Sequence, residues 1–451
     1  MRMGENEYWN PVMETKPKNE LEELQMKRLK SIVAHAYRNS PFYRKMFSGA
    51  GVTPEDVKTR DDFRSKIPLF RKDEIRNQRE ETGDPFANML TVEQDQLATV
   101  HPSTGTTGVP TFTALSADEI DVAAEPCTRF GWMWKIRPGM RLLCGVMLDS
   151  FWHWWGTFLG VCIYGRLGLN SQVVSYNFLL PVFGVPTSMI ALGKFAADWA
   201  LISPDAALAT ITECSRMGKD PKDIIPGLKY VTSAGEAISP HHRETFLDKF
   251  GVLDWFDSWG CSDPFTLASE CYAHTGLHTF SDYWFLELVD PDTSELLPPG
   301  ERGEIVTSNL WMRSLPFIRF GTEDFGELSE EKCECGRTHP RVRIFDRTSW
   351  VITVAGKKVS PYSLRLIMER YPETRDAAFN IIKYASEMDT FRIRASYKED
   401  ITKDPEELKS KIIADIKEEL GVDAEIEWVS YEQLEKLLHK IVRLVDLTKE
   451  K

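Results

Sequence analysis

The stretch Ser103-Thr104-Gly105-Thr106-Thr107-Gly108-Val109-Pro110 decides the fold that this sequence predicts. Glycine lets a backbone turn tightly and approach a bound phosphate closely. The hydroxyl and exposed N–H groups of such a loop donate hydrogen bonds to phosphate oxygens. A solvent loop rich in turn-forming residues would have a similar composition. The loop is not of the Walker type, because no Gly-Lys-Ser/Thr follows it.

The residues after this loop have the sequence pattern of an α/β domain. Between about residues 140 and 310, short apolar segments alternate with helical patterns. The predicted strands are LLCGVML, QVVSYN, MIAL, KYVTSAG and EIVTSNL. Upstream, residues from about 20 to 37 have apolar side chains at helical spacing. The alternation predicts a layered α/β architecture.

The pattern changes after about Arg347. WVITVAGKKV, AFNIIKY, FRIRASY and EIEWVSY read as strands of a small α+β unit. Between them, a helix is predicted to be capped by Asp404 and to end at Gly421. We therefore predict an α/β protein with a large multi-layer N-terminal domain, residues 1–346, and a small α+β C-terminal domain, residues 347–451.

Composition excludes several classes of protein. The 451 residues carry a formal net charge of −13, whereas general nucleic-acid and anionic-membrane binders present basic surfaces. The N-terminal text MRMGENEYWNP has no apolar core of a signal peptide, and no apolar run approaches the ~20 residues of a bilayer span. We expect a cytoplasmic protein that binds neither nucleic acid nor membrane. A homodimer is one assembly state that the sequence allows.

Three further segments accompany the Gly/Thr loop in the order found in adenylate-forming enzymes. Ser233-Ala234-Gly235-Glu236 resembles their adenine-side loop. Asp257-Ser258-Trp259-Gly260-Cys261-Ser262-Asp263 resembles their aromatic-Gly-x-Ser/Thr-Glu segment. Pro316 to Asp324 resembles the strand that ends in a ribose-binding Asp. The texts HAYRNSPFYRKMF, AGVTPEDVKTRDDF, IPLFRKDEIR and CECGRTHPR are similar to those of the phenylacetate–CoA ligase family within this superfamily.

The resemblance implies an ATP site. Asp324 would accept both ribose hydroxyls, which suits a carboxylate with two oxygens. Asp263 takes the position of a magnesium-binding Glu; it is one methylene shorter but still a hard oxygen ligand. The residues implied in ATP binding are Ser103, Thr104, Gly105, Thr106, Thr107, Gly108, Ala234, Gly235, Glu236, Asp257, Ser258, Trp259, Asp324 and Arg347.

The C-terminal motifs resemble the superfamily with two departures. His439 to Asp446 resembles Gly-Lys-x-x-Arg-x-x-Asp, which makes Lys440 the implied catalytic lysine and leaves His439 where Gly is usual. A flexible ammonium there would neutralise charge at the carboxylate and the α-phosphate. Asp346 to Trp350 resembles the hinge motif, with Ser349 in place of the hinge Asp. The small domain is expected to rotate about Ser349.

The resemblance also suggests where coenzyme A and the acid bind. Gly356, Lys357 and Lys358 would lie near coenzyme A, although a solvated pair of lysines explains them as well. An aromatic stretch lies beside the acyl pocket in relatives and suits a flat acid, although core packing is an equal explanation. The pocket candidates are Trp152, His153, Trp154, Trp155, Phe158 and Gly260, with Trp259, Phe265 and Tyr283 as weaker ones.

Cys271, His278, Cys333 and Cys335 form a candidate metal site. Four soft or borderline ligands suit tetrahedral zinc, and with no position left open the role would be structural. Many sequences of the family carry the same set. Unrelated buried thiols and a surface His are the alternative, and His274 is a rival ligand.

The sequence therefore predicts an acid–CoA ligase that uses ATP, Mg²⁺ and coenzyme A, with structural Zn²⁺. The substrate is expected to be an aromatic carboxylic acid, such as phenylacetate or a benzoate-type acid. Two alternatives stay open: an adenylating enzyme that loads a carrier protein or an amine, and a nucleotide-binding regulatory protein without catalysis. Asp263, Ser349 and His439 motivate the last alternative.

Overall fold

The computed structural model describes residues 7–103, 110–145, 172–176, 193–375, 378–437 and 440–448. The chain divides into two compact units. The larger unit comprises Met1–Thr322 and Glu327–Arg343, and the smaller unit comprises Glu323–Gly326 and Ile344–Lys451. Since the smaller unit also includes a piece of an earlier strand, we keep the domain boundary after residue 346 as a proposal.

The helices of the larger unit begin at residues that favour helix starts. Ser40, Thr59, Ser116, Ser203 and Ser239 each accept a backbone N–H of the first turn. The helices are α1 Pro11–Glu14, α2 Lys18–Asn39, α3 Pro41–Gly49, α4 Arg60–Lys66, α5 Lys72–Thr82, α6 Ala117–Met133, α7 Pro204–Arg216, α8 Pro221–Ile224 and α9 Pro240–Phe250. Helix α2 confirms the helix predicted from about residue 20. In the described ranges no helix is long and apolar enough to cross a bilayer.

One large sheet organises the larger unit. Its strands are β3 Arg141–Gly145, β4 Gln172–Tyr176, β5 Trp199–Ile202, β6 Tyr230–Ser233, β7 Asp254–Cys261, β8 Thr266–Glu270, β9 Leu277–His278, β10 Trp284–Val289, β11 Arg302–Asn309, β12 Phe320–Ser329 and β13 Arg341–Arg347. Their order is β10-β11-β12-β13-β9-β8-β7-β6-β5-β3-β4. Strands β4, β3, β5, β6 and β7 pair in parallel, and β8 turns antiparallel to β7.

This topology determines where the motifs lie. Four of the five predicted strands are present as β3, β4, β6 and β11, and the segment MIAL lies outside the described residues. The adenine-side loop follows β6, and the segment Asp257–Asp263 runs through and beyond β7, its parallel neighbour. A separate two-stranded sheet, β1 Leu97–Pro102 with β2 Phe112–Ser116, flanks the Gly/Thr loop. The mixed α/β fold predicted from the sequence is confirmed.

The smaller unit has its own apolar core between sheets and two helices. The helices are α10 Pro361–Met368 and α11 Pro405–Glu419. The strands are β14 Ile352–Val354, β15 Lys357–Val359, β16 Phe379–Lys383, β17 Glu387–Met388, β18 Phe391–Ala395, β19 Ala424–Trp428, β20 Lys436–Leu437, β21 Lys440–Ile441 and β22 Leu444–Asp446. Asp404 caps α11, as predicted, and Leu408, Ile412 and Ile416 of that helix are buried in the core.

Candidate active site and metal cluster

The Gly/Thr loop closes at a neck formed by Ser103 and Thr111. The Ser103 N–H donates to the Thr111 carbonyl at 2.8 Å, and the Thr111 N–H donates to Ser103 Oγ at 3.0 Å. Both side chains are buried. Residues 104–109, which include five of the predicted phosphate ligands, lie outside the described residues. The neck therefore fixes where this loop leaves and rejoins the sheet.

Asp263 lies beside this neck. It is buried, its Oδ1 accepts a hydrogen bond from the Thr111 hydroxyl, and its Oδ2 lies 3.1 Å from the ammonium of Lys72. Lys72 is the first residue of α5, and its role was not predicted from the sequence. The family-like segment IPLFRKDEIR contains Lys72, but nothing in that segment indicates that it reaches Asp263. A lysine and a hydroxyl therefore already hold the carboxylate at the predicted magnesium position.

The donor set at Asp263 fits a magnesium ion. Carboxylate and hydroxyl oxygens are hard ligands, and Mg²⁺ uses only one or two carboxylates while it retains several waters. An ionised carboxylate has about four lone-pair sites. Asp263 can therefore serve a metal ion without giving up Thr111 and Lys72.

The adenine-side loop begins where β6 ends. Gly235 has φ +101°, a conformation that residues with a Cβ rarely adopt, and Ala234 is buried. The Ser258 hydroxyl donates to the carbonyl oxygen of Ser233 at 2.7 Å. This bond joins the loop to the next predicted ATP segment on β7, so the structure brings these two motifs together.

Asp257 is held through its side chain and its backbone. Its Oδ2 accepts the Ile238 N–H at 3.2 Å, and its Oδ1 accepts the Ser258 N–H at 2.9 Å. Its own N–H donates to Glu270 Oε2 at 2.8 Å. Burial, and secondly the nearby Glu270 carboxylate, raise the pKa of Asp257 well above its usual range.

The four predicted zinc ligands come together in a buried cluster. One ligand atom from each of them lies within 4.8 Å of all the others. Cys271 Sγ and Cys333 Sγ are 3.6 Å apart, and Cys335 Sγ and His278 Nε2 are 3.3 Å apart. A tetrahedron with zinc–sulfur bonds of about 2.3 Å has edges of roughly 3.5–3.8 Å. The cluster therefore fits a tetrahedral zinc ion.

Surrounding groups orient the cluster. His278 Nδ1 lies 3.3 Å from the His339 carbonyl oxygen, which leaves Nε2 directed at the thiols. The Tyr8 hydroxyl donates to the Cys335 carbonyl at 2.6 Å. Hydrogen bonds from Cys271 and His278 lower the pKa of the Cys335 thiol, and a thiolate is the form that binds zinc.

His274, the rival ligand, points to carboxylates instead. Its Nδ1 lies 2.9 Å from Glu270 Oε2, and its Nε2 lies 3.0 Å from Asp254 Oδ1. Both ring nitrogens are therefore engaged away from the thiols. Burial opposes protonation of this ring, but the hydrogen bonds that the ring donates to the two carboxylates outweigh it and raise the pKa of His274 to about 9.

Asp324 and Arg347 form an ion pair within the smaller unit. Arg347 Nη1 lies 2.7 Å from Asp324 Oδ1, and its Nη2 lies 3.1 Å from Glu323 Oε2. Glu323 has φ +59°, which is uncommon for a residue with a side chain. The guanidinium thus orients the carboxylate that the resemblance assigns to ribose.

The hinge, coenzyme A and catalytic-lysine candidates also lie in the smaller unit. Ser349 lies in an exposed 3₁₀ turn, Thr348–Trp350. The Lys357 ammonium donates to the Gly421 carbonyl at 3.2 Å, next to the end of α11. Lys440 lies on β21 of a hairpin, opposite Leu437, and its side chain lies outside what the structure describes.

Some of the acyl-pocket candidates lie outside the described residues, and the others lie in the large sheet or in the core. Trp152, His153, Trp154, Trp155 and Phe158 lie outside the described residues. Gly260 is opposite Leu267 where β7 pairs with β8. Phe265 and Tyr283 are buried, and both rings contact Trp311 edge-on, at centroid distances of 5.6 and 6.4 Å. These contacts are also what core packing would produce.

Comparison with known proteins places these observations in context. Residues 356–448 match the family model described as the AMP-binding enzyme C-terminal domain. A phenylacetate–coenzyme A ligase of Thermus thermophilus is 30% identical over 372 residues, covering 81% of this chain and 79% of the relative. That of Aromatoleum evansii is 29% identical and covers 96% of each chain. A crystal structure of 2-hydroxyisobutyryl-CoA ligase in the postadenylation state shares the fold at a TM-score of 0.83 and 22% identity, over 99% of this chain and 94% of that one.

Proposed function

The chain belongs to the phenylacetate–coenzyme A ligase family, and from this premise we propose that it converts an aromatic carboxylic acid into its coenzyme A thioester. As a member of that family it is an AMP-forming acid–CoA ligase of the adenylate-forming type. The acid we propose is phenylacetate or a benzoate-type acid. The observation that carries this proposal is the similarity to phenylacetate–coenzyme A ligases over most of both chains.

The proposed reaction has two half-reactions. The carboxylate attacks the α-phosphorus of ATP, so that pyrophosphate leaves and an acyl-adenylate forms. The thiol of coenzyme A then attacks the acyl carbon and AMP leaves. AMP is a far better leaving group than hydroxide, which is why activation precedes thioester formation.

We propose the following roles in the first half-reaction. The loop from Ser103 to Gly108 holds the ATP phosphates, and Ala234, Gly235, Glu236, Asp257, Ser258 and Trp259 surround the adenine. Support comes from the bond between the Ser258 hydroxyl and the Ser233 carbonyl, which joins the two adenine-side segments. Asp324, oriented by Arg347, accepts the ribose hydroxyls.

Asp263 is the proposed magnesium ligand, and bound Mg²⁺ would supply charge neutralisation at the phosphates. Lys72 holds the carboxylate in place and compensates its charge, since its ammonium lies 3.1 Å away in a buried setting. Lys440 is the proposed catalytic residue, contacting the acid carboxylate and the α-phosphate.

Coenzyme A and the structural metal complete the proposal. Gly356, Lys357 and Lys358 would meet coenzyme A; Lys357 would first have to leave the Gly421 carbonyl. Cys271, His278, Cys333 and Cys335 would hold one zinc ion. The support is their mutual distance, at most 4.8 Å, and their burial. Four protein ligands would leave no open position on a tetrahedral ion for catalysis.

Pyrophosphate release and coenzyme A thiol consumption test the proposal with a panel of acids. We expect aromatic acids to drive both steps with the highest kcat/KM. Pyrophosphate release without thiol consumption would instead support a carrier-protein or amine acceptor. No pyrophosphate release with any acid would support the regulatory alternative and overturn the ligase reaction.

A variant pair tests the catalytic lysine. Lys440→Ala should lower adenylation about 10²–10³-fold, the usual loss when a group that stabilises transition-state charge is removed. Lys436→Ala, on the partner strand of the same hairpin, is the matched control. Equal activity of the two variants would remove Lys440 from its proposed role.

A further inference from the structure

We infer that Glu270 is a positioning residue that couples the metal cluster to the adenine-binding segment. The inference rests on the proposed function, because it takes Asp257 and Ser258 as adenine-side residues. Glu270 is the last residue of β8, and the next residue in the chain is Cys271, a proposed zinc ligand. It is buried, and no role was assigned to it from the sequence.

Three donor groups make four contacts with the Glu270 carboxylate. Arg243 Nη2 lies 2.8 Å from each carboxylate oxygen, and His274 Nδ1 lies 2.9 Å from Oε2. The third donor is the backbone N–H of Asp257, at 2.8 Å from Oε2. A carboxylate has about four lone-pair sites, so these four contacts engage both of its oxygens and orient it. Two of the donors are side chains with cationic forms, which makes these bonds the stronger charge-assisted kind.

The residue before Glu270 on β8, Ser269, binds the backbone carbonyl of Asp257. The Ser269 hydroxyl donates to the Asp257 carbonyl at 2.9 Å, and Ser269 lies opposite Ser258 in the antiparallel pairing of β7 with β8. Both backbone polar groups of Asp257 are therefore fixed by two consecutive residues of β8. The Asp257 side chain then fixes the Ser258 N–H, and the Ser258 hydroxyl fixes the adenine-side loop.

These contacts also extend to the metal cluster. The backbone N–H of His274 donates to the Cys271 carbonyl at 3.1 Å, while the imidazole ring of His274 is held between Glu270 and Asp254. His274 has φ +49°, a conformation that persists only where surrounding contacts enforce it. The cysteine that we propose as a metal ligand, Cys271, and the carboxylate that holds the adenine segment, Glu270, are thus adjacent residues at the end of β8.

Glu270→Gln tests this role, since glutamine keeps the shape and removes the charge. We expect the KM for ATP and the Kd for ATP to rise about tenfold, equivalent to one charge-assisted hydrogen bond of about 1.4 kcal/mol. The kcat and the KM values for the acid and coenzyme A should change less than twofold. Metal analysis should still find one zinc per chain. A purely structural ion pair would not separate ATP binding from the other constants.

Asp282→Asn is the matched control, because it breaks the buried Arg129–Asp282 pair, 3.0 Å apart, whose residues belong neither to the metal cluster nor to the adenine-side segments. If Glu270→Gln does not fold, Arg243→Gln replaces it, with the same direction of change expected. Unchanged ATP affinity in a folded, zinc-loaded variant overturns the inference, as does a loss no more selective for ATP than that of Asp282→Asn. A wild-type protein that does not bind ATP in calorimetry would instead overturn the proposed function.

Discussion

The Lys72 ammonium lies 3.1 Å from Oδ2 of Asp263, and both side chains are largely buried. Lys72 begins α5 near the N-terminus, whereas Asp263 follows β7 of the large sheet. The Thr111 hydroxyl, at the neck of the Gly/Thr loop, donates to the other oxygen of the carboxylate. Three segments distant in the sequence therefore meet at the carboxylate that we propose as the magnesium ligand.

Removing the charge of Asp263 should impair adenylation. Asp263→Asn should lower the rate of pyrophosphate release by about 10²-fold, because a metal ligand and the partner of a buried ammonium are lost together. Asp263→Glu keeps the carboxylate, lengthened by one methylene, and should retain activity within about threefold. Titration of Mg²⁺ in single-turnover assays measures both. An Asn variant with full activity and unchanged Mg²⁺ dependence would show that the ligand lies elsewhere.

Zinc should stabilise the fold through the four-residue cluster. Freshly purified protein should contain about one zinc per chain. Cys333→Ser should lose the metal and several kcal/mol of stability, because a closed zinc site contributes its binding free energy to folding. Elemental analysis and thermal unfolding measure the two effects.

The control for this variant is Cys214→Ser, which alters a buried thiol on α7, in a core of the larger unit and outside the cluster. It should keep its zinc and lose only the cost of a polar group in an apolar core, about 1–3 kcal/mol. Equal zinc content in both variants would contradict the metal site.

Asp346 should make the smaller unit less stable as the pH rises. Its Oδ2 accepts the Tyr362 N–H at 2.7 Å, in the first turn of α10, and it faces Ser360, Arg365 and Arg443. Burial raises the pKa of Asp346 to about 6. The neutral form is therefore favoured in the folded state, and its stability contribution, full below about pH 4, is lost as the pH rises through 6.

Asp346→Asn keeps the acceptor for Tyr362 and removes the ionisation. It should be about 1–2 kcal/mol more stable than the wild type at pH 7.5 and equally stable at pH 4, measured by urea unfolding. Asp423→Asn, at an exposed carboxylate of the same unit, controls for a general loss of negative charge. A wild-type stability that changes with pH no more than that of Asp346→Asn would contradict the prediction.

The sequence predicted local structure better than long-range pairing. Helix α11 could be predicted because its cap, its buried stripe and its terminal glycine are all local signals. The four candidate zinc ligands were predicted from residue type, spacing and the family resemblance, and the fold brings them together. Lys72 could not be predicted, because nothing in its neighbourhood indicates that α5 reaches Asp263; only the fold brings them together. His274 and His278 were not separable by spacing, and the carboxylates of Asp254 and Glu270 decide between them.

The hinge prediction can be tested with one substitution. Ser349 lies in the middle of the exposed 3₁₀ turn Thr348–Trp350, where proline is compatible with the fold because early helical positions tolerate its fixed φ. Proline also restricts the preceding residue, Thr348, so it stiffens two consecutive positions. If the small domain rotates about Ser349 between half-reactions, Ser349→Pro should keep the enzyme in the orientation that serves adenylation. Adenylation should stay within about threefold of wild type, while thioester formation falls at least tenfold.

Single-turnover pyrophosphate release and coenzyme A thiol consumption time the two steps. The control is Ser349→Ala, which leaves the backbone free and should be normal in both steps. Equal losses in the two steps would mean that proline only damaged the turn, and no loss in either would place the rotation elsewhere.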